Sequence, residues 1–117
     1  IVKRARSFVI DDVATILPDE PVSKAKYMME NYNISGIVVV NEENKVCGIF
    51  TKRDIPFSEN DINSGKIKSF MTKEVISIEP GASREKALEI LFGSRKEKLP
   101  VIDKTGLLKG LITKKDL

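Results

Sequence analysis

The sequence predicts an α+β fold, an α/β sandwich of two β-α-β-β-α repeats packed with pseudo-twofold symmetry. Three observations predict it. Residues 13–55 and 75–117 align without a gap, through pairs such as Val13/Val75, Pro18/Pro80, Lys24/Lys86, Ala25/Ala87, Gly48/Gly110, Thr51/Thr113 and Asp54/Asp116. Each copy passes in the same order from a β-branched run, through helical spacing, to two further β-branched runs. Each copy also closes on Thr-x-x-Asp. A duplication in register favours two like units packed against each other. The expected division is a linker or added strand at 1–12, a first repeat at 13–62, a connector at 63–74 and a second repeat at 75–117. The last helix of the second repeat is cut short at Leu117.

Each repeat opens with a short strand, Val13–Ile16 and Val75–Ile78, ended by Pro18 and Pro80. A helix follows. In the first repeat Pro21 suits the first helical position, and Ala25, Met28, Met29 and Tyr32 fall on one face. In the second, Ser83 is a candidate N-cap, with Ala87, Ile90, Leu91 and Ser94 at the matching positions. Two strands joined by a polar turn come next: Ile37–Val40 and Val46–Phe50 around Asn41–Asn44, then Leu99–Ile102 and Leu108–Ile112 around Lys104–Gly106. The run IVVV implies burial on both faces. Gly48 and Gly110, inside the closing strands, suggest a bulge or a close backbone approach. Each closing strand runs into Thr-x-x-Asp, which reads as a helix start with Thr as cap and Asp in the first turn. Residues 55–72 are polar, with breaks at Pro56 and Gly65, and read as a short helix and a connector leading to Phe70 and Met71.

Bulk composition narrows the function. With 117 residues and 41% apolar content, the chain suits one compact domain or two small lobes. The net charge of +3, with both signs interspersed and only 6% aromatic residues, does not call for nucleic-acid binding. Cys47 is the only cysteine and there is no histidine, so neither an internal disulfide nor a zinc or haem site has a ligand set. Cys47 itself reads as a small buried hydrophobe. No signal peptide or membrane-length apolar run is present, and a cytoplasmic location is expected. The chain starts at Ile1 and stops directly after the second motif, so both ends are expected to continue into something longer.

The repeated Thr-x-x-Asp has two readings. A carboxylate at a helix start can accept both hydroxyls of a ribose. A hydroxyl three residues earlier, with free backbone N–H groups and the helix dipole, can receive a phosphate. Lys52, Arg53, Lys114 and Lys115 add positive charge beside it. The same residues are equally a helix cap with a dipole-compatible acid and a solvated basic face.

At this point the sequence resembles a known family. Two β-α-β-β-α units, each closing in G-[IL]-[FI]-T-K-[RK]-D, resemble a tandem pair of CBS domains (a Bateman module) over nearly the whole chain. The segments EKLPVIDKTGLLKGLITKKDL and ISGIVVVNEENKVCGIFTKRDI, with the leading IVKR, are similar to the CBS insert of inosine-5'-monophosphate dehydrogenase. In that family the insert interrupts a (β/α)8 catalytic barrel, and Ile1 and Leu117 match its two junctions.

The resemblance implies a regulatory, nucleotide-sensing module. CBS pairs commonly bind adenine or guanine nucleotides in clefts between the repeats, so ATP, ADP, AMP or GTP are the expected ligands, with no intrinsic cofactor. The motif acid usually holds the ribose and the motif Thr usually meets phosphate. Carried over by position, these are Asp54 with Thr51 and Asp116 with Thr113, flanked by Lys52 and Lys114. The strand after the first helix often lines the base pocket, which points to Ser35, Gly36 and Ile37, and to Lys98, Leu99 and Pro100. Backbone contacts to the base are expected near Thr15–Ile16 and Ser77–Ile78. Gly36 and Lys98 occupy matching positions yet differ greatly in size and charge, so the two sites are not equivalent. The expected partners are a purine nucleotide, a second copy through the helices, and the parent's catalytic barrel in cis, with no nucleic acid and no membrane. The segment is expected to catalyse nothing alone: the parent's cysteine nucleophile lies on a barrel loop, and Cys47 sits in a predicted strand without a neighbouring base. Two other readings stay open, a structural or oligomerisation module without ligand and a stand-alone CBS-pair protein.

Overall fold

A computed structural model describes residues 14–94 and 98–113. The expectations for residues 1–13, for Lys114, Lys115 and Asp116, and for the last helix of the second repeat lie outside the described residues. The chain divides into two compact units, one spanning Ala14–Val75 and the other holding the described residues from Ile76 onward. Both mix helix and sheet, as the α+β reading requires.

In the first unit, β1 (Thr15–Ile16) pairs in parallel with β2 (Gly36–Val40), which pairs antiparallel with β3 (Val46–Thr51). Helix α1 (Val22–Tyr32) makes the crossover between β1 and β2. Pro21 is the N-cap rather than the first helical residue, with φ −72° and ψ 149°. It is held extended because it bridges antiparallel to Lys66. Val22, Ala25 and Met29 form the buried stripe. Tyr32, expected on that face, is 65% exposed. It is the last helical residue, and Asn33 then turns the chain away in the left-handed region (φ 53°), its N–H donating to the Met29 carbonyl.

The continuous apolar run explains why β2 sits in the centre, between β1 and β3. Ile37 and Val39 enter the core with Ile16, Ala25, Met29, Phe50 and Ile67, while Val38 and Val40 are buried as well. Each such aliphatic side chain contributes about 1.5–3 kcal/mol on burial. The second unit repeats this core at the matching positions: Ile78, Ala87, Leu91, Leu99, Val101 and Ile112. Helix α4 (Arg84–Ser94) supplies two of them and starts at Ser83, whose Oγ accepts the Lys86 N–H at 3.1 Å. In place of the expected strand 75–78, Ile78 alone bridges in parallel to Val101. Strands β4 (Lys98–Ile102) and β5 (Leu108–Thr113) form an antiparallel hairpin.

The two hairpin turns are chemically the same turn. Asn41 Oδ1 accepts the N–H groups of Glu43 (2.9 Å) and Lys45 (3.0 Å), and Asp103 Oδ1 accepts those of Thr105 (2.9 Å) and Leu107 (3.0 Å). Both turns need a positive φ three residues after the polar cap, and it falls on Asn44 (64°) and Gly106 (92°), types that tolerate it. Both hairpins also carry a register shift at the same place, Val39/Val40 and Val101/Ile102.

The segment after β3 folds back onto the first unit. Helix α2 (Glu59–Ser64) is capped by Ser58, and α3 (Ile67–Phe70) buries Ile67 in the core. Backbone bonds from Val22 N–H to Gly65 O, Ile67 N–H to Glu20 O and Lys68 N–H to Pro18 O, all 2.9 Å, stitch it to the loop before α1. The Lys68 ammonium, 2.9 Å from Asp19, holds that carboxyl below its ordinary range. Thr72 then bridges antiparallel to Ile49, through N–H···O bonds of 2.9 Å in both directions. This is the close approach that Gly48 permits: a Cβ there would stand 2.7 Å from the Thr72 carbonyl oxygen.

Candidate functional site

The end of β3 delivers Thr51 into a single 3-10 turn, Lys52–Asp54. The expected helix does not follow. Ile55 precedes Pro56, which drives it out of the helical region to φ −67° and ψ 121°, and the turn closes there. A three-residue turn has no macrodipole of consequence, so that part of the phosphate argument fails. Two backbone donors near the motif are also engaged within the protein: Thr51 N–H with Asp54, and Lys52 N–H with the Ser35 carbonyl at 3.1 Å.

What the turn does build is a held carboxylate. Asp54 Oδ2 accepts from the Thr51 N–H at 2.9 Å and from the Thr51 hydroxyl at 3.2 Å. The Thr72 hydroxyl donates across both oxygens, 3.2 Å to Oδ1 and 3.4 Å to Oδ2. Among the described residues, one backbone bond therefore fixes the acid, and hydroxyls make its other bonds. Asp54 is half-buried, while Lys52 and Arg53 are exposed beside it.

Across the hairpin, β2 starts at the same corner. Gly36 pairs with Thr51, and Ser35 precedes it. Thr51, Asp54, Lys52, Ser35 and Gly36 are thus brought together in the first unit. Ile37 is not part of that surface through its side chain, because the alternation of β2 sends it into the core. Ile16 is also a core residue, paired with Val39, and offers only backbone atoms.

In the second unit Lys98 pairs with Thr113 at the corresponding corner, and both are half-buried. Leu99 and Ile78 point into the core, so the backbone is what they present. Pro100 is buried, and its carbonyl accepts the Ile78 N–H at 3.0 Å. Asp116 and Lys114, expected to complete this corner, lie outside the described residues.

Sequence reading missed Thr72. It lies eighteen residues after Asp54 in a polar connector, and only the bridge to Ile49 brings its hydroxyl to the carboxylate. The available signal was Gly48, whose missing side chain marks where another backbone runs. Among the described residues no group of His, Cys, Asp and Glu could hold a metal ion, and no helix is long and apolar enough to cross a membrane.

Comparison with known proteins gives this geometry a context. The family model described as CBS domain matches residues 5–55 and 67–117. The inosine-5'-monophosphate dehydrogenase of Methanocaldococcus jannaschii is 41% identical over 116 residues, covering 99% of this chain and 23% of that protein. The enzyme of the same name from Halalkalibacterium halodurans is 44% identical over 117 residues, covering 99% of this chain and 24% of that protein. The chain thus spans about a quarter of the length of these relatives. Among solved structures, a CBS-domain containing protein from Agrobacterium tumefaciens superposes with a TM-score of 0.75 at 26% identity, covering 95% of this chain and 93% of that one. CBSX2 in complex with AMP gives 0.83 at 20% identity, with 96% and 90% covered. The cytosolic domain of the Mg2+ channel MgtE in complex with ATP gives 0.77 at 19% identity, with 89% and 43% covered.

Proposed function

The chain belongs to the CBS-domain family as a tandem pair, and we propose that it is a nucleotide-sensing regulatory module. In this reading it binds an adenine or guanine nucleotide, with ATP, ADP, AMP or GTP as ligands, and adjusts the catalytic barrel of an inosine-5'-monophosphate dehydrogenase in cis. The observation that carries the reading is the Asp54 carboxylate. Its fixed bond comes from the Thr51 N–H, and its remaining partners are the hydroxyls of Thr51 and Thr72. A ribose diol supplies the same chemical group twice. It can therefore replace hydroxyl by hydroxyl without leaving a charged oxygen unpaired, the event that would make binding costly.

Several residues would serve the ligand. Thr51 at the mouth of the turn, with Lys52 and Arg53 exposed next to it, supplies a hydroxyl and positive charge for phosphate. Ser35 and Gly36 border the same corner and would line the base. The matched residues Thr113, Lys114 and Asp116 would do the same in the second repeat. Relatives about 40% identical over this whole span carry the dehydrogenase name, and two structures of this fold hold AMP and ATP. Those facts support the assignment to a purine nucleotide and to that enzyme.

The test is a thermal shift of the chain with AMP, ADP, ATP, GTP and IMP. At a ligand concentration 100-fold above the dissociation constant, binding adds about 2.7 kcal/mol to native-state stability. For a domain of this size that is a shift of several degrees. Asp54→Ala with Asp116→Ala should abolish it. No shift with any nucleotide at millimolar concentration would leave the second reading, a scaffold that sets oligomeric state. One observation favours that reading: the bonds from Thr51 and Thr72 already make Asp54 a complete structural cap. A homodimer through the helices fits either function, since Tyr27 on α1 and Phe92 on α4 are 67% and 60% exposed.

A further inference from the structure

The first repeat's acid is tied by a residue of the connector. The Thr72 hydroxyl donates to Asp54 at 3.2 Å and 3.4 Å, and the bridge from Thr72 to Ile49, beside Gly48, brings it there. The segment that carries Thr72 has a copy. Residues 67–72 read IKSFMT and residues 5–10 read ARSFVI, at the same offset as Thr113 from Thr51. Ser69 and Phe70 recur as Ser7 and Phe8, Lys68 as Arg6 and Met71 as Val9. The two matches to the family model also begin at corresponding residues, 5 and 67. In the place of Thr72 the copy has Ile10, which carries no hydroxyl. The second unit keeps the edge on which such a segment lies: Gly110 pairs with Val101 in the register of Gly48 with Val39, and both glycines are buried. Exchanging the repeats carries 67–72 on β3 to 5–10 on β5.

We propose that Thr72 is an affinity-setting residue, a competitor for the ribose at Asp54, and that Ile10 in its place leaves the second repeat without one. The second repeat therefore fills with nucleotide before the first. The assignment rests on the nucleotide-sensing reading above and adds a rank order to its two sites. A ribose that takes both Asp54 oxygens has to break the Thr72 bond first. Thr72 is exposed, so its freed hydroxyl returns to water, and the cost is that of one exchanged hydrogen bond to a charged group. At the second corner no such bond has to break. The competition is with the sugar and not with the phosphate chain, so AMP and ATP are affected alike. Gly36 and Lys98 also differ between the repeats, so the test alters one site at a time.

The experiment is calorimetric titration of the whole chain with AMP and with ATP. An Asp116→Ala background isolates the first repeat and an Asp54→Ala background the second; the chain with Asp54→Ala should bind the more tightly of the two. In the first background, Thr72→Val keeps the shape and the bridge and removes the hydroxyl. It is expected to tighten both nucleotides by about two- to fivefold, a gain that damage to folding cannot mimic. In the second background, Ile10→Thr installs the hydroxyl and should weaken both by a similar factor. Ile10→Val trims the same side chain without adding a hydroxyl and should not weaken them. Weaker binding in Thr72→Val means that the hydroxyl serves the ligand, and it would overturn the assignment. So would no change there, no change in Ile10→Thr, an equal loss in Ile10→Val, or the reverse order of the two backgrounds. If the unaltered chain binds neither nucleotide, the nucleotide-sensing reading fails and takes this one with it. If it binds both and the Thr72 and Ile10 variants leave affinity as it was, only the rank order falls.

Discussion

Asp54 concentrates the chemistry at the scale of single residues. Its carboxylate is fixed by one backbone N–H and otherwise held by the hydroxyls of Thr51 and Thr72. Removing it in Asp54→Ala should lower ligand-free stability by about 1 kcal/mol, measured by urea unfolding, and should abolish nucleotide binding at the first repeat. Thr72→Val keeps the backbone bridge to Ile49 and removes only the competing hydroxyl. Nucleotide affinity at the first repeat should therefore rise, by about two- to fivefold, in the same titrations. Asp103 provides a second residue-scale test. The Thr105 hydroxyl, then the Leu107 and Thr105 N–H groups and the Lys109 ammonium, hold its carboxyl below the usual range. A depressed folded pKa contributes stability that is present above the unfolded value, about 3.9, and lost as pH falls through the folded one. Asn41 makes the same two backbone bonds without a charge. Asp103→Asn should thus melt near the unaltered chain at neutral pH and show a flatter acid limb below about pH 4, while Asp103→Ala should melt below both. Melting curves between pH 2 and 7 separate the three.

At the scale of elements, the duplicated parts were legible and the joins between them were not. The hairpins extend only one residue beyond their expected bounds, at Gly36, Thr51, Lys98 and Thr113, because β-branched runs and an Asn or Asp turn are local signals. The α4 cap at Ser83 is local for the same reason. The turn after Thr51 is shorter than its cap signal implies, because Pro56, two residues past Asp54, holds Ile55 extended and decides how long a helix can run. The docking of 65–72 onto the first unit depends on backbone bonds to Pro18, Glu20, Val22 and Ile49, which no periodicity announces. Gly48 tests that docking. Gly48→Ala places a methyl against the Thr72 carbonyl oxygen, a backbone contact that neither the bridge nor β3 can give way to cheaply. It should destabilise the first unit by about 1–3 kcal/mol and speed hydrogen exchange at the Ile49 and Thr72 amides. Unchanged exchange there would contradict the role given to the bridge.

At the scale of the whole molecule, the family and the repeat were readable because the duplication imposes one core twice. Ile16, Ala25, Met29, Ile37, Val39 and Phe50 recur as Ile78, Ala87, Leu91, Leu99, Val101 and Ile112. Core positions repeat because packing fixes them, whereas other positions drift, as Gly36 against Lys98 does. At the candidate corner, the meeting of Thr51 with Gly36 follows from the hairpin, but the bonds on Asp54 were not legible, since Thr72 reaches it only through the tertiary bridge. Exposed aromatic residues on α1 and α4 make a further expectation: Phe92→Glu should shift any dimer toward monomer, read by sedimentation equilibrium. The most direct test of the central claim is a crystal structure of the chain with ATP or AMP bound. The account predicts ribose hydroxyls within hydrogen-bonding distance of both Asp54 oxygens, with the Thr72 hydroxyl displaced from the carboxylate. A nucleotide seated elsewhere, with Thr72 still on Asp54, would contradict it.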